Sequence, residues 1–224
     1  MADLAYNLSN AALKVVLRAF AQWEVVGREN APPKGPLMVV SNHLSNIDPP
    51  LLACSIPRRL FFMAKKELFT PILGPFLRAY GAYPLERDQR DVEALLWARR
   101  LLERDGVVAL FPEGHRNPYR GLQRCSPGVA LLALKSQAPL LPVAITGTER
   151  LGPLWRVAFP TGRIRVRIGQ PFTLPRIEGK VSRPLLDSLT DLIMSRVAAL
   201  LPESYRGIYA SGAAPSPAQP ERRG

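Results

Sequence analysis

The sequence predicts an α/β fold with a mixed, mostly parallel central sheet and helices on both faces. Two observations carry this. Short apolar runs alternate with segments of helical period, which implies crossover connections. The runs are also continuously apolar, as in Leu37-Met38-Val39-Val40 and Val107-Val108-Ala109-Leu110-Phe111, which suits strands buried on both sides.

Each element follows in order. Residues 8–22 carry Leu13, Val16, Leu17 and Phe20 at i, i+3, i+4 and i+7, with Lys14 and Arg18 one turn apart and Trp23 at the exit, so residues 1–22 read as an N-terminal amphipathic helix. Such a stripe suits a helix covering the core or one lying in a membrane interface. Strands are predicted at 37–42, 60–64, 79–85, 107–111, 140–146 and 163–168, and helices at 48–55, 68–78, 90–105, 126–137 and 183–200. The helix at 90–105 is the clearest. Val92, Leu95, Leu96, Arg99 and Leu102 form its stripe, and Asp105-Gly106 stops it. We assign 23–205 to one folded domain and 206–224 to a disordered tail, because the stretch from Ser211 on is small, proline-rich and without apolar anchors.

With 47% apolar residues in 224, the chain can bury one substantial core. Its net charge is +12, concentrated between Arg116 and Lys180, where eleven Lys or Arg face Glu149 and Glu178. That face attracts polyanions: phosphate-bearing substrates, an anionic bilayer or an acidic carrier protein. No recognised nucleic-acid motif accompanies it, so no nucleic-acid partner is expected. Cys54 and Cys125 have no metal-ligand or redox spacing, and no metal site is expected. No secretory signal and no apolar segment of ~18 residues is visible, which places the protein in the cytoplasm with at most peripheral membrane contact.

Chemistry concentrates where two buried strands end. The first empties into Ser41-Asn42-His43-Leu44-Ser45-Asn46-Ile47-Asp48-Pro49-Pro50, which sets one of only two histidines five residues before a carboxylate. A histidine steered by a carboxylate removes a hydroxyl proton at neutral pH. The second empties into Pro112-Glu113-Gly114-His115-Arg116-Asn117. Ligands in such sheets gather at the carboxyl ends of strands, so both motifs fall on one rim. Between them lies Gly81-Ala82-Tyr83-Pro84-Leu85-Glu86-Arg87, and later Ala138-Pro139-Leu140-Leu141-Pro142-Val143-Ala144-Ile145.

These four blocks, in this order, resemble the four motifs of the glycerolipid acyltransferases, most of all the bacterial 1-acyl-glycerol-3-phosphate acyltransferases, over about residues 23–172. The resemblance implies an acyltransferase domain at 23–205 that moves a fatty acyl group from acyl-CoA or an acyl carrier protein to the free hydroxyl of a lysophospholipid, with no bound cofactor. It implies His43 as general base with Asp48 as its partner, and Gly81, Arg87, Glu113, Gly114 and Arg116 around the glycerol-phosphate acceptor. Arginine suits this role because its guanidinium makes forked, charge-assisted bonds to phosphate. Lys65 and Lys66 are candidates to extend the anion site, and Pro139 to Ile145 are candidates to line an acyl-chain slot. The chain departs from the family in having His115 where a small hydroxyl residue is usual, which suggests a specificity element. Other acceptors, such as a lyso-aminolipid or glycolipid, and a thiol route through Cys54 or Cys125 are the competing readings, along with a non-enzymic basic membrane-surface or nucleic-acid binder.

Overall fold

The computed structural model describes residues 2–85, 92–119, 121–152, 156 and 159–210. Thirteen principal elements follow in chain order: α1 (Ala2–Phe20), β1 (Ala21–Val26), β2 (Leu37–Ser41), α2 (Asp48–Ser55), β3 (Leu60–Lys65), α3 (Leu73–Tyr80), β4 (Ala82–Leu85), α4 (Val92–Leu102), β5 (Val107–Leu110), α5 (Gly128–Ser136), β6 (Leu140–Thr146), β7 (Gly162–Ile168) and α6 (Arg183–Ala198). The strands form one sheet in the order β1-β7-β6-β2-β5-β3-β4. All neighbouring pairs are parallel except β6 and β7, so the mixed, mostly parallel sheet expected from the sequence is present.

Apolar side chains on the two faces of the sheet form two cores. Leu37, Val39, Leu141 and Val143 pack with Leu17 of α1, Leu51 and Leu52 of α2 and Tyr80 of α3. Met38, Val40, Val108 and Ala144 pack on the other face with Ala98 of α4, Ala130 of α5 and Ile193 of α6. The helix after β2 thus covers one face, and the helix after β5 covers the other. Adjacent strands whose crossovers leave in opposite directions open a crevice at their carboxyl ends. β2 and β5 are such a pair, and His43 and Glu113 follow them.

Several expectations are corrected. The N-terminal helix ends at Phe20, and Ala21–Val26 is an edge strand paired with β7. Trp23 and Val25 turn toward the core while Gln22 and Glu24 face out, a period of two that merges with the helical stripe when only the sequence is read. The face of α4 that packs is Ala94, Ala98 and Leu102, whereas Val92 and Leu96 are exposed, because alanine lets the helix lie close to the sheet. Pro139 to Ile145 do not line a slot: β6 is central, and Leu140, Leu141, Val143 and Ile145 are packed into the two cores. Residues 206–210 are folded rather than part of a tail. Gly207–Tyr209 forms a 3-10 turn, and the buried Tyr209 hydroxyl donates to Asp191 at 2.8 Å. Residues 211–224 lie outside the described residues.

Candidate active site

The site begins with the way β2 ends. Asn42, 1% exposed, uses its side-chain amide as a two-way clamp on β6, donating to the Ile145 carbonyl at 2.9 Å and accepting from the Ile145 N–H at 2.8 Å. The following residue, His43, therefore leaves the sheet from a fixed point. Its N–H donates to Glu113 Oε1 at 3.2 Å, and its carbonyl accepts from the Asn117 N–H at 2.7 Å. The first and third sequence motifs are bonded to each other through the backbone of His43.

The Asp48 carboxylate then folds back on the same loop. Oδ2 accepts from the Leu44 N–H at 2.6 Å, the Ser45 N–H at 2.7 Å and His43 Nδ1 at 2.9 Å, while Oδ1 accepts from the Thr148 hydroxyl at 2.7 Å. Asp48 opens α2 but does not cap it, because Pro49 and Pro50 have no N–H to offer and the Leu51 N–H is given to the Ile47 carbonyl at 2.8 Å. Denied donors ahead of it, the side chain finds them behind. A buried carboxylate is tolerated when its lone pairs are filled by charge-assisted bonds, and Asp48 is fully buried.

An ionised carboxylate only accepts, so it fixes the proton of His43 on Nδ1 and leaves Nε2 as the basic nitrogen. Phe111 stacks on the imidazole at 4.3 Å between centroids, and the His43 side chain keeps 17% exposure. The ring is thereby held on one face by an aromatic and at one nitrogen by a carboxylate.

Beside it is a cavity of about 360 Å³, with Leu44, Ser45, Lys65, His115, Arg116 and Glu149 among its walls. His43 and Glu113 are flanked by these walls rather than forming them. The contributing chain segments follow β6, β2, β5 and β3, four consecutive strands of the sheet, so the site spans three strand spacings, or ~14 Å of rim. Lys65 ends β3 and shares the cavity with Arg116, so a lysine outside the four motifs stands beside the motif arginine. The His115 ring is exposed and pairs through Nε2 with Gln123 Oε1 at 3.1 Å.

Glu113 is 6% exposed, and its Oε2 is buried without a hydrogen-bond partner among the described residues. Burial raises its pKa from the ordinary value, against the backbone N–H groups of His43 and Gln123 that pull it down. Its bond to the His43 N–H braces the His43 loop. Gly114 has φ +70° and open space around it, and Arg116 is exposed at the cavity. Gly81 stands apart. It caps α3 in the left-handed region at φ +99°, its carbonyl accepts from the Phe62 N–H, and it therefore lies near the start of β3, at the opposite end of that strand from Lys65. Arg87 lies outside the described residues, although β4, which leads to it, ends with Leu85 beside Lys65.

Two participants went unread in the sequence. Thr148 follows β6 in a Gly-Thr turn that looks like ordinary punctuation, and its contact with Asp48 spans 100 residues. Asn42 was part of the first motif but had no assigned task. The backbone N–H groups of His43, Leu44 and Ser45 all donate to carboxylates, the first to Glu113 and the others to Asp48. Among the described residues, no group of three metal-capable side chains comes together.

The sequence model of the acyltransferase family matches residues 22–146. The chain is 28% identical to the 1-acyl-sn-glycerol-3-phosphate acyltransferase of Bacillus subtilis over 87% of its own length and 96% of that protein's. It is 31% identical to the protein of the same name from Streptococcus pneumoniae over 63% of its length, but spans only 52% of that relative. The fold is similar to the crystal structure of the 1-acyl-sn-glycerophosphate (LPA) acyltransferase of Thermotoga maritima, with a TM-score of 0.66, 29% identity, and coverage of 85% of this chain and 77% of that one.

The burial of Glu113 has a measurable consequence. A carboxyl whose pKa is raised on folding retains its proton in the folded state where the unfolded chain has released it. Stability then falls as pH rises out of the ordinary carboxylate range. Glu113→Gln removes this titration while keeping an acceptor for the His43 N–H. Melting temperatures between about pH 4 and pH 7 should decline more steeply for the wild type than for the glutamine variant; parallel curves would count against a strained buried carboxyl.

Proposed function

Because the chain belongs to the acyltransferase family, we propose that it acylates the free hydroxyl of 1-acyl-glycerol 3-phosphate to give phosphatidic acid, drawing the acyl group from an acyl thioester. The observation that supports this most is the His43 ring, fixed at Nδ1 by Asp48 and left basic at Nε2 beside a cationic cavity. His43 Nε2 takes the acceptor's hydroxyl proton as that oxygen attacks the thioester carbonyl. The tetrahedral intermediate collapses, the carbon–sulfur bond breaks, and the imidazolium returns the proton to the departing thiolate. Asp48 stabilises the imidazolium between these two events. The enzyme needs no nucleophile of its own, since the substrate supplies it.

Arg116 and Lys65 hold the acceptor's phosphate, with Arg87 and Gly114 as further members from the motif resemblance. Glu113 braces the base. The donor is acyl-CoA or an acyl carrier protein, and the reaction so written needs no bound cofactor. A thiol acyl-enzyme is disfavoured by the environment of both cysteines: burial pushes the Cys54 thiol up to about 11 and the Cys125 thiol higher still, so neither is a ready thiolate.

The protein works peripherally, at the cytoplasmic face of a membrane. No helix among the described residues is long and apolar enough to cross one. Instead α1, whose Tyr6 and Leu17 are buried in the core, exposes Leu4, Leu8 and Val15 on its other side. The neighbouring segment around α3 exposes Leu68, Ile72 and Phe76 at a spacing of four, and Ile72 is 92% exposed. Lys14, Arg18 and Arg78 lie on the same helices, so an apolar face with basic companions is available to an anionic interface.

Three measurements test this reading. His43→Ala should lower the transfer rate about 10²–10⁴-fold, or roughly 3–5 kcal/mol of barrier; normal turnover in a folded variant would refute the mechanism. Arg116→Ala should raise the acceptor KM roughly 10- to 100-fold with a smaller change in kcat, as loss of a charge-assisted bond requires. A Leu8→Asp, Ile72→Asp double variant should fold normally yet sediment with anionic vesicles at least about tenfold more weakly, whereas unchanged sedimentation would rule out this face as the docking surface.

A further inference from the structure

Three donors converge on Asp48 Oδ2, and all three belong to the loop that carries His43. Those three bonds tie the carboxylate only to its own loop, so loop and carboxylate can still shift together. The bond that prevents this comes from elsewhere in the fold: the Thr148 hydroxyl, fully buried, donates to Oδ1 at 2.7 Å. A threonine hydroxyl in a helical turn commonly bonds the carbonyl one turn back. Thr148 instead reaches a carboxylate 100 residues earlier in the chain.

Its position is set by constraints unconnected with α2. Gly147 adopts φ +91°, and a Cβ there would come within 1.9 Å of the Arg163 carbonyl oxygen, so the turn is pressed against β7 and admits only glycine. The Gly147 N–H donates to Glu149 Oε2 at 2.9 Å, and Glu149 Oε1 accepts from the Tyr205 hydroxyl at 2.9 Å. Leu151, 1% exposed, buries the far end of the turn. The turn after β6 is thus held from two sides, by β7 at Gly147 and by the C-terminal segment at Glu149, and it carries Thr148 to the carboxylate. Thr148 also lies just beyond the residues matched to the family, 22–146.

Resting on the acyl-transfer reading, we propose that Thr148 is a positioning residue for that reaction. Its hydroxyl anchors the Asp48 carboxylate to the turn after β6 and, through it, fixes the direction of the His43 ring. It touches no substrate, and its effect falls on the chemical step rather than on acceptor binding.

Thr148→Val keeps the shape and removes the donor, whereas Thr148→Ser keeps the donor and removes a methyl group. Both are assayed with a long-chain lysophosphatidate and an acyl-coenzyme A, beside His43→Ala, and rates are normalised to the folded fraction measured by circular dichroism. The valine variant should lose roughly 10- to 100-fold in kcat, as a displaced catalytic group does. Its acceptor KM should stay within about twofold and the serine variant's kcat within about threefold of wild type. A purely structural threonine would alter the folded fraction and leave the normalised kcat unchanged. Wild-type kcat in the valine variant, or a serine variant as impaired as valine, overturns the proposal. If His43→Ala retains turnover, the acyl-transfer mechanism fails; if His43→Ala is inactive while Thr148→Val is not, only the role of Thr148 fails.

Discussion

The architecture of the site depends on one buried carboxylate. Asp48 is removed from water and must find internal donors, and it draws them from two distant parts of the chain: three from the loop after β2 and one from the turn after β6. Satisfying that charge is what gathers the loop into a tight turn and aims the imidazole. An unpaired buried carboxylate would cost several kcal/mol, so the loop cannot relax without losing more than it gains. The rigidity of the dyad is a by-product of electrostatic necessity.

The frame around it is the sheet. β2 lies between β6 and β5, and both neighbours are tied to the same loop. Asn42 bonds to Ile145 on one side, while Glu113 and Asn117 bond to the backbone of His43 on the other. Crossovers leaving toward opposite faces keep the space above these strand ends open. Lys65 and Arg116 arrive there from β3 and β5, and the sheet order makes these two candidate anion-site residues neighbours. The concentration of positive charge seen in composition becomes specific only through this ordering.

What could be read in advance follows from range. His43 and Asp48 are five residues apart, and the turn chemistry that joins them is local, so the pairing was visible in the letters. Glu113 stands out as a strand-end residue, but its bond to the His43 N–H joins residues 70 apart and has no local sign. Buried runs such as Val39-Val40 and Val108-Ala109 announced central strands because no polar residue interrupts them. Long-range partners left no such trace. Thr148 has the appearance of a turn residue, and β1 is a short strand whose alternation merges into the preceding helix. Gly81 shows a different limit: its block runs along β4, so it lies at the end of that strand opposite Leu85 and Lys65. The exposed side of α4 was misread because leucine outranks alanine in any hydrophobicity count, although alanine permits the closer approach.

Pro49 and Pro50 matter for what they withhold. A helix start normally displays free amides, and those are the nearest targets for an aspartate in its first turn. Two successive imino residues leave the position silent, so the side chain has no competing local bargain and must engage the strand-end loop. Orientation of the reactive ring is therefore secured by a deliberate scarcity at the helix entrance. A replacement there by any ordinary residue would introduce a rival suitor for the carboxylate without touching a single atom of the dyad.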